Sequence, residues 1–284
     1  IIYYSETLDL NNSFKITLED LYKNGYLSRI VIDEVHCLSL WGHEFRPSYL
    51  QLYKLRDKFP EVPFMGLTAS ATPKVESDVK TLLKFNDSET QISDENSDNC
   101  KTYSDSFYRS NLKIEIRRIV NDNPFRKNDG FYEILNLLNY EYKNKCGIVY
   151  CHTRKGCEKL QNKLSECGIN SEFYHAGLDS NERDDIQKRW SNNKTLIVIA
   201  TIAFGMGIDK PDVRFVFHCN IPRNLESYYQ EIGRAGRDGK DSKCILFYNY
   251  SDKQMLERLI YNQPDMSTEM KHNQISKLYQ NINY

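Results

Sequence analysis

The chain has 284 residues, 40% of them hydrophobic and 27% charged, with a net charge of −1. That length predicts two domains, each able to bury a core. No apolar run is long enough to span a bilayer as a helix, no secretory leader is visible, and a charge near zero offers no chain-wide attraction for nucleic acid. The charge is uneven, however. Asp87, Glu89, Asp94, Glu95 and Asp98 share a stretch without Lys or Arg, so the remainder is net positive. Eight cysteines lie at 37, 100, 146, 151, 157, 167, 219 and 244, and none forms a C-x-x-C pair. No zinc cluster is encoded, and free thiols of a reducing, intracellular compartment are expected. Ile1 is not an initiator methionine, so the chain is expected to begin inside a longer protein.

In chain order, Ile16–Tyr26 reads as a short helix ending near Gly25. Ser28–His36 is a compact β-branched run that ends in charge, the pattern of a buried parallel strand with carboxylates at its C-terminal end. Ligands bind at that edge in open α/β sheets. Residues 37–49 form a loop crowded with aromatic and basic groups, and Tyr49–Phe59 looks helical. Val62–Thr68 is the next strand, and Pro73 at a first helical position opens a helix to Leu83. Residues 86–105, rich in Asn, Asp, Ser and Glu, read as a disordered acidic insertion without a task of its own.

A second unit begins at Leu112. Phe131–Tyr142 is an amphipathic helix, and strand-like runs follow at 146–151, 195–201, 213–219 and 244–249. Helical patterns at 155–167, 181–190 and 225–231 separate most of them, and Asp179 with Glu182 resembles a capping box. Alternating strands and helices predict a parallel sheet covered on both faces. The fold class is therefore α/β, with two tandem parallel-sheet domains, the first too short of strands before Ile30 to close a normal sheet. Residues 251–284 are polar and helical in pattern, with Met255, Leu256, Leu259 and Ile260 on one face.

Asp33 and Glu34 are adjacent carboxylates at a strand end. One could hold Mg²⁺ through water while the next positions or deprotonates an attacking water. His36 could relay between this edge and a neighbouring loop, although D-E-x-H alone is also the composition of a surface turn. In Gln230–Gly239 (Gln-Glu-Ile-Gly-Arg-Ala-Gly-Arg-Asp-Gly), Arg234 and Arg237 share a face if the segment turns helically. Their rigid donor forks suit a polyphosphate. Trp41, Phe45 and Arg46 suit base stacking and phosphate pairing, with a core at a domain seam as the other reading. Thr153 and Arg154, in His152–Lys155 at a strand end, suit a nucleic-acid backbone or simply start a helix. Thr201, also at a strand end, would add a phosphate contact.

Asp-Glu-Val-His at 33–36, Ser-Ala-Thr at 70–72, Gly-Met-Gly-Ile-Asp-Lys at 205–210 and Gln-x-x-Gly-Arg-Ala-Gly-Arg at 230–237 occur in order. They resemble motifs II, III, V and VI of superfamily 2 helicases. The segments Cys37–Tyr49 and Ala203–Val213 and the form of Gln230–Gly239 look more specifically like RecQ-type DNA helicases. The resemblance covers nearly the whole chain outside the acidic insertion. It implies tandem RecA-like domains: the C-terminal part of an ATP-binding domain in 1–85, an insertion and linker in 86–111 and the helicase C-terminal domain in 112–250. Residues 251–284 would then be the helical start of a zinc-binding subdomain without its cysteines.

The resemblance further implies a 3′-to-5′ DNA helicase of recombination, repair and replication, intracellular and nuclear, acting on single-stranded and branched DNA with ATP and Mg²⁺. Asp33 would bind Mg²⁺, and Glu34 would be the base for water. His36 with Ser70, Ala71 and Thr72 would couple hydrolysis to movement. Gly207, Asp209 and Gln230 would bind nucleotide. Arg234 and Arg237 would reach the terminal phosphate, Arg237 as the finger. Trp41, Phe45, Arg46, Thr153, Arg154 and Thr201 would contact DNA.

The pattern is incomplete. No G-x-x-x-x-G-K-[ST] occurs in the 284 residues, so the β- and γ-phosphate cradle is not encoded here. No cysteine follows Cys244, so zinc belongs only to a longer parent. The chain is read as a helicase fragment, the alternative being a catalytically incomplete DNA- or partner-binding segment.

Overall fold

The computed structural model describes residues 12–39, 47–69, 71–85, 100–106, 108–119, 130–205, 208–249, 251–261, 271–272 and 275–276. The chain divides into two compact units, Ile1–Ser106 and Phe107–Tyr284.

In the first unit, helix α1 spans Asn12–Lys23, four residues ahead of its expected start, and the chain leaves it through Gly25 at φ +71°. Strand β1 (Ile30–Ile32) pairs in parallel with β2 (Phe64–Gly66), with Ile30 opposite Phe64 and Ile32 opposite Gly66. The run expected as one strand over 28–36 thus yields only three strand residues. Glu34 takes a left-handed backbone, and Val35–Leu38 wind into a 3₁₀ turn. Val35, His36, Cys37 and Leu38 are buried inside that turn, so their apolar character reports the turn's interior and not a longer strand. The helix expected over 49–59 is a 3₁₀ segment, Pro47–Leu52, running into α2, Tyr53–Lys58. Helix α3, Pro73–Leu82, begins as its sequence dictates, with proline in the first turn and the Thr72 hydroxyl accepting from the Val75 backbone N–H. Ile32, Val35, Leu38, Val75, Val79 and Leu83 form its core. Residues 86–99 lie outside the described part; residues 100–106 have neither helix nor strand, and Thr102 donates to the Glu76 carboxylate.

The second unit is a six-stranded parallel sheet in the order β3-β8-β7-β4-β6-β5. Its strands are β3 (Leu112–Arg118), β4 (Gly147–Tyr150), β5 (Ser171–Tyr174), β6 (Ile197–Ala200), β7 (Phe215–His218) and β8 (Ser242–Tyr248). The central strands β4, β6 and β7 are buried throughout, as apolar runs in a doubly covered parallel sheet must be. On one face, Val149, Ile199, Phe215, Phe217, Ile245 and Phe247 pack against α4 (Phe131–Asn136) and α5 (Arg154–Glu166). On the other, Ile148, Val198, Val216 and Cys244 pack against α6 (Ser180–Ser191) and α7 (Leu225–Ile232). Trp190, Phe215, Phe217 and Phe247 are fully buried, each contributing roughly 2–3 kcal/mol by area. The Cys146 and Cys244 thiols are pushed up to about 12 by burial, as befits structural thiols.

Strands β3 and β5 are the two sheet edges and escape a search for apolar runs. β3 reads Leu-Lys-Ile-Glu-Ile-Arg-Arg and β5 reads Ser-Glu-Phe-Tyr. Charge on edge strands discourages pairing with another chain and removes the hydrophobic signal at the same time. The helix expected over 131–142 is α4 followed by a π turn, Leu137–Glu141. The Asp179 side chain caps α6 by accepting from the Glu182 N–H at 3.0 Å. Helix α8, Ser251–Tyr261, seats Leu256 and Ile260 against Ile221. Among the described residues no helix is long and apolar enough to cross a membrane.

Candidate functional site

In the first unit the carboxylate pair stands where β1 ends. Asp33 is exposed, and its Oδ1 accepts the backbone N–H of Glu34 at 2.9 Å. Glu34 sits at φ 50°, ψ 43°. A residue with a β-carbon is uncommon there, at a cost of about 1–2 kcal/mol. That backbone turns the Glu34 side chain toward His36, whose Nδ1 is 3.3 Å from Glu34 Oε2 and 2.8 Å from the Thr68 hydroxyl. His36 is fully buried, and its Nε2 faces the Cys37 thiol at 3.7 Å. Glu34 Oε2 and the Thr68 hydroxyl thus meet at one atom, His36 Nδ1, which joins the β1 end to the β2 end. Thr68 leads into Ala71, which is exposed, and Thr72, whose hydroxyl caps α3. Ser39 donates to Asp78 of α3 at 2.6 Å and fixes the far side of the turn.

In the second unit the two arginines are held by one loop. Arg234 donates through Nη1 to the Gly205 carbonyl, and Arg237 donates to the Ile208 carbonyl at 2.8 Å. The donors are three residues apart, and so are the acceptors. Gly205 leaves room for this approach, since a β-carbon there would stand 2.6 Å from Arg234 Nη2 and push the guanidinium aside. Arg237 also pairs with Asp209 Oδ1 at 3.2 Å, joining two residues for which the family resemblance implies one nucleotide. Gln230 lies in α7, one turn before Arg234. The arginine turn is braced from behind by residues the sequence reading passed over. Arg109 donates to the carbonyls of Gly233 and Gly236, and Asn111 to those of Gly236 and Lys240. Gly236 has φ +56°, and a β-carbon on it would meet Asn111 Nδ2 at 2.5 Å. The contacts span some 125 positions, so no local pattern could reveal them. Lys210, buried beside Trp190, ties the following segment to Asp212 and Asn193 at 3.0 and 2.8 Å.

The other predicted positions separate. Thr153 and Thr201 follow β4 and β6, neighbouring parallel strands, and so stand at one sheet edge. The Thr153 hydroxyl accepts from the Gly156 N–H at 3.1 Å as the cap of α5, and Arg154 beside it is exposed. Thr201 Oγ1 accepts from Ala203 N at 3.4 Å. His152 next to them is half-buried, and its protonation is disfavoured chiefly by desolvation, with the Asp252 carboxylate opposing. Trp41, Phe45, Arg46, Ser70 and Gly207 lie outside the described residues.

Residues 127–239 match the model of the helicase conserved C-terminal domain. RecQ-like DNA helicase blm-1 of Caenorhabditis elegans is 45% identical over 248 residues, 85% of this chain and 23% of that protein. The ATP-dependent helicase SGS1 of Saccharomyces cerevisiae is 37% identical across 100% of this chain and 18% of its own length. Over most of its length the chain is similar to RecQ-type helicases, and its residues 127–239 carry the match to the helicase conserved C-terminal domain. The fold agrees: the Mycobacterium smegmatis helicase Lhr, bound to ssDNA and AMP-PNP, matches with a TM-score of 0.59 at 20% identity, over 86% of this chain and 32% of that one. The chain spans 23% of the blm-1 helicase, 18% of SGS1 and 38% of the rat ATP-dependent DNA helicase Q1.

The residues present can be weighed against the ligands the family implies. Among the described residues no cluster of three or more His, Cys, Asp or Glu forms a metal cage. Mg²⁺ needs none, because it keeps several waters and takes one or two carboxylates plus phosphate oxygens. The exposed Asp33 carboxylate fits that requirement. Arg234 and Arg237 are the cations suited to a polyphosphate, and each is held by carbonyls that a stronger anionic acceptor could replace.

Proposed function

We propose that this RecQ-like chain carries part of the ATP-hydrolysing apparatus of a DNA helicase, with each unit supplying one set of groups. In the first, Asp33 holds the Mg²⁺ of bound ATP through water, and Glu34 takes the proton of the attacking water. Supporting the second role is the left-handed backbone at Glu34, a strained conformation at a carboxylate that also contacts a buried histidine. His36 then passes the state of that carboxylate to Thr68 and the segment Ser70, Ala71 and Thr72.

In the second unit, Gln230 and Asp209 contact nucleotide together with Gly207. Arg234 and Arg237 stabilise charge on the terminal phosphate, with Arg237 as the finger. Thr153, Arg154 and Thr201 bind the DNA backbone at the sheet edge, and Trp41, Phe45 and Arg46 stack on and pair with a single strand. The observation that carries the reading is the pinning of Arg234 and Arg237, at matched spacing, onto the 205–208 loop. It presents two guanidiniums as one unit. The reading extends to 3′-to-5′ unwinding of branched DNA in the nucleus, in line with relatives named as DNA helicases of eukaryotes. Zinc would be held only by sequence outside these residues.

A second reading, a DNA-binding segment without hydrolysis, rests on the absence of G-x-x-x-x-G-K-[ST] from the 284 residues. ATP hydrolysis by the full-length gene product, with and without an unstructured single-stranded oligonucleotide, separates the two. The motor reading expects DNA to raise the rate. A product that binds DNA and hydrolyses no ATP would establish the second reading.

A further inference from the structure

Between the sheet edge that carries Thr153 and Arg154 and the turn that carries Arg234 lies a buried polar stack. Tyr150 and His218 are the last residues of the paired strands β4 and β7 and stand opposite each other in register. Their rings stack at 5.2 Å between centroids, 26° from parallel. Tyr228 of α7 packs edge-on against His218 at 5.0 Å. His218 Nε2 meets Glu231 Oε2 at 2.7 Å, with both residues buried. Glu231 sits directly after Gln230 and three residues before Arg234.

The hydroxyl of buried Tyr150 donates to the Phe204 carbonyl at 2.9 Å. Phe204 adjoins Gly205, whose carbonyl takes the Arg234 contact. In the other direction, Tyr150 is two residues from His152 and three from Thr153. A buried carboxylate and imidazole are costly unless they satisfy each other, and packed rings with fixed partners move as a body. A core needing only volume would fill this space with apolar side chains, as the opposite face of the same sheet does.

We propose that Tyr150, His218 and Glu231 are positioning residues that link the two ends of the second unit. A DNA phosphate bound at Thr153 and Arg154 shifts the β4 end. The stack transmits that shift to α7 and to the Phe204–Gly205 carbonyls, and so to the placement of Arg234. This rests on the functional reading above and deepens it by assigning the route from DNA contact to hydrolysis within this unit.

The test uses the full-length gene product, an oligo(dT) single strand and two variants, Glu231→Gln and Tyr150→Phe, both close to isosteric. Positioning predicts that the DNA-stimulated kcat falls by about tenfold, equal to ~1.4 kcal/mol of coupling. The DNA-free rate and the Kd for oligo(dT) stay within experimental scatter of wild type, and the thermal midpoint falls only by the few degrees that one lost buried hydrogen bond costs. Hydrogen exchange without nucleotide gives an independent readout. Oligo(dT) slows exchange at 201–205 and 233–238 in wild type and does not in Tyr150→Phe. Full stimulation in both variants, or exchange at those segments indifferent to DNA in wild type, overturns the link alone. A wild type that hydrolyses ATP without response to DNA overturns the functional reading, and the link with it. Variants that lose the DNA-free rate and thermal midpoint in parallel assign the stack to stability and overturn the link as well.

Discussion

The two units hold their reactive groups in opposite ways. In the first, the carboxylates sit on a three-residue strand, and Glu34 is aimed by an unfavourable backbone with one buried histidine behind it. In the second, Arg234 and Arg237 flank a left-handed Gly236, where glycine bears no strain, and are aimed by neighbours: carbonyls in front, Arg109 and Asn111 behind, a buried stack beneath. Strain at one residue fixes a single side chain. A network fixes a whole turn and lets distant contacts bias it. The carboxylate edge should therefore answer to local backbone changes, and the arginine turn to substitutions far away in sequence.

The largest expected effect is at the arginine turn. Arg237→Ala should lower DNA-stimulated ATP hydrolysis by about 10³-fold with the fold intact, since a finger acts on the transition state; steady-state kinetics on the full-length product measures it. Next comes Gly205→Ala, whose β-carbon would displace the movable Arg234 guanidinium and should lower DNA-stimulated ATP hydrolysis by about tenfold with little change in denaturant unfolding. At the carboxylate edge, Glu34→Gly should be more stable than Glu34→Ala by about 1 kcal/mol. Both lack the carboxylate, but only glycine accepts the left-handed backbone freely, and equal stabilities would remove strain from the account.

The smallest effect concerns His152. Desolvation holds its protonation below the ordinary histidine value of 6.5, so below that pH the unfolded chain binds more protons than the folded one. Stability should be complete above pH 6.5 and decline as pH falls through it. The slope should shrink in His152→Gln, because Asp252, Arg223 and Glu231, the other charges facing this site, remain in place. A slope unchanged by that substitution would assign the titration elsewhere.

Much of this arrangement is legible in the residues, and the exceptions share a cause. The central strands announce themselves because double burial leaves mostly apolar side chains, with Tyr150 and His218 only at the strand ends. The edge strands β3 and β5 do not, because an edge must carry charge. The helix caps at Thr72, Thr153 and Asp179 follow from local geometry and can be read within four residues. The brace of Arg109 and Asn111 on Gly236, and the pairing of His218 with Glu231, join positions whose proximity only the closed sheet creates. Glu34 was legible as a carboxylate at a strand end but not as a strained one, since an apolar run after it mimics a longer strand.

The central claim is that Glu34 and Arg237 serve one reaction. A double-mutant cycle on DNA-stimulated ATP hydrolysis by the full-length gene product tests it most directly, with wild type, Glu34→Gln, Arg237→Ala and the double variant. Groups acting as a unit are strongly non-additive, so the account predicts that the double variant is no more than a few-fold slower than the slower single variant. Losses that multiply, with the double variant slower by the product of the two single effects, would contradict it.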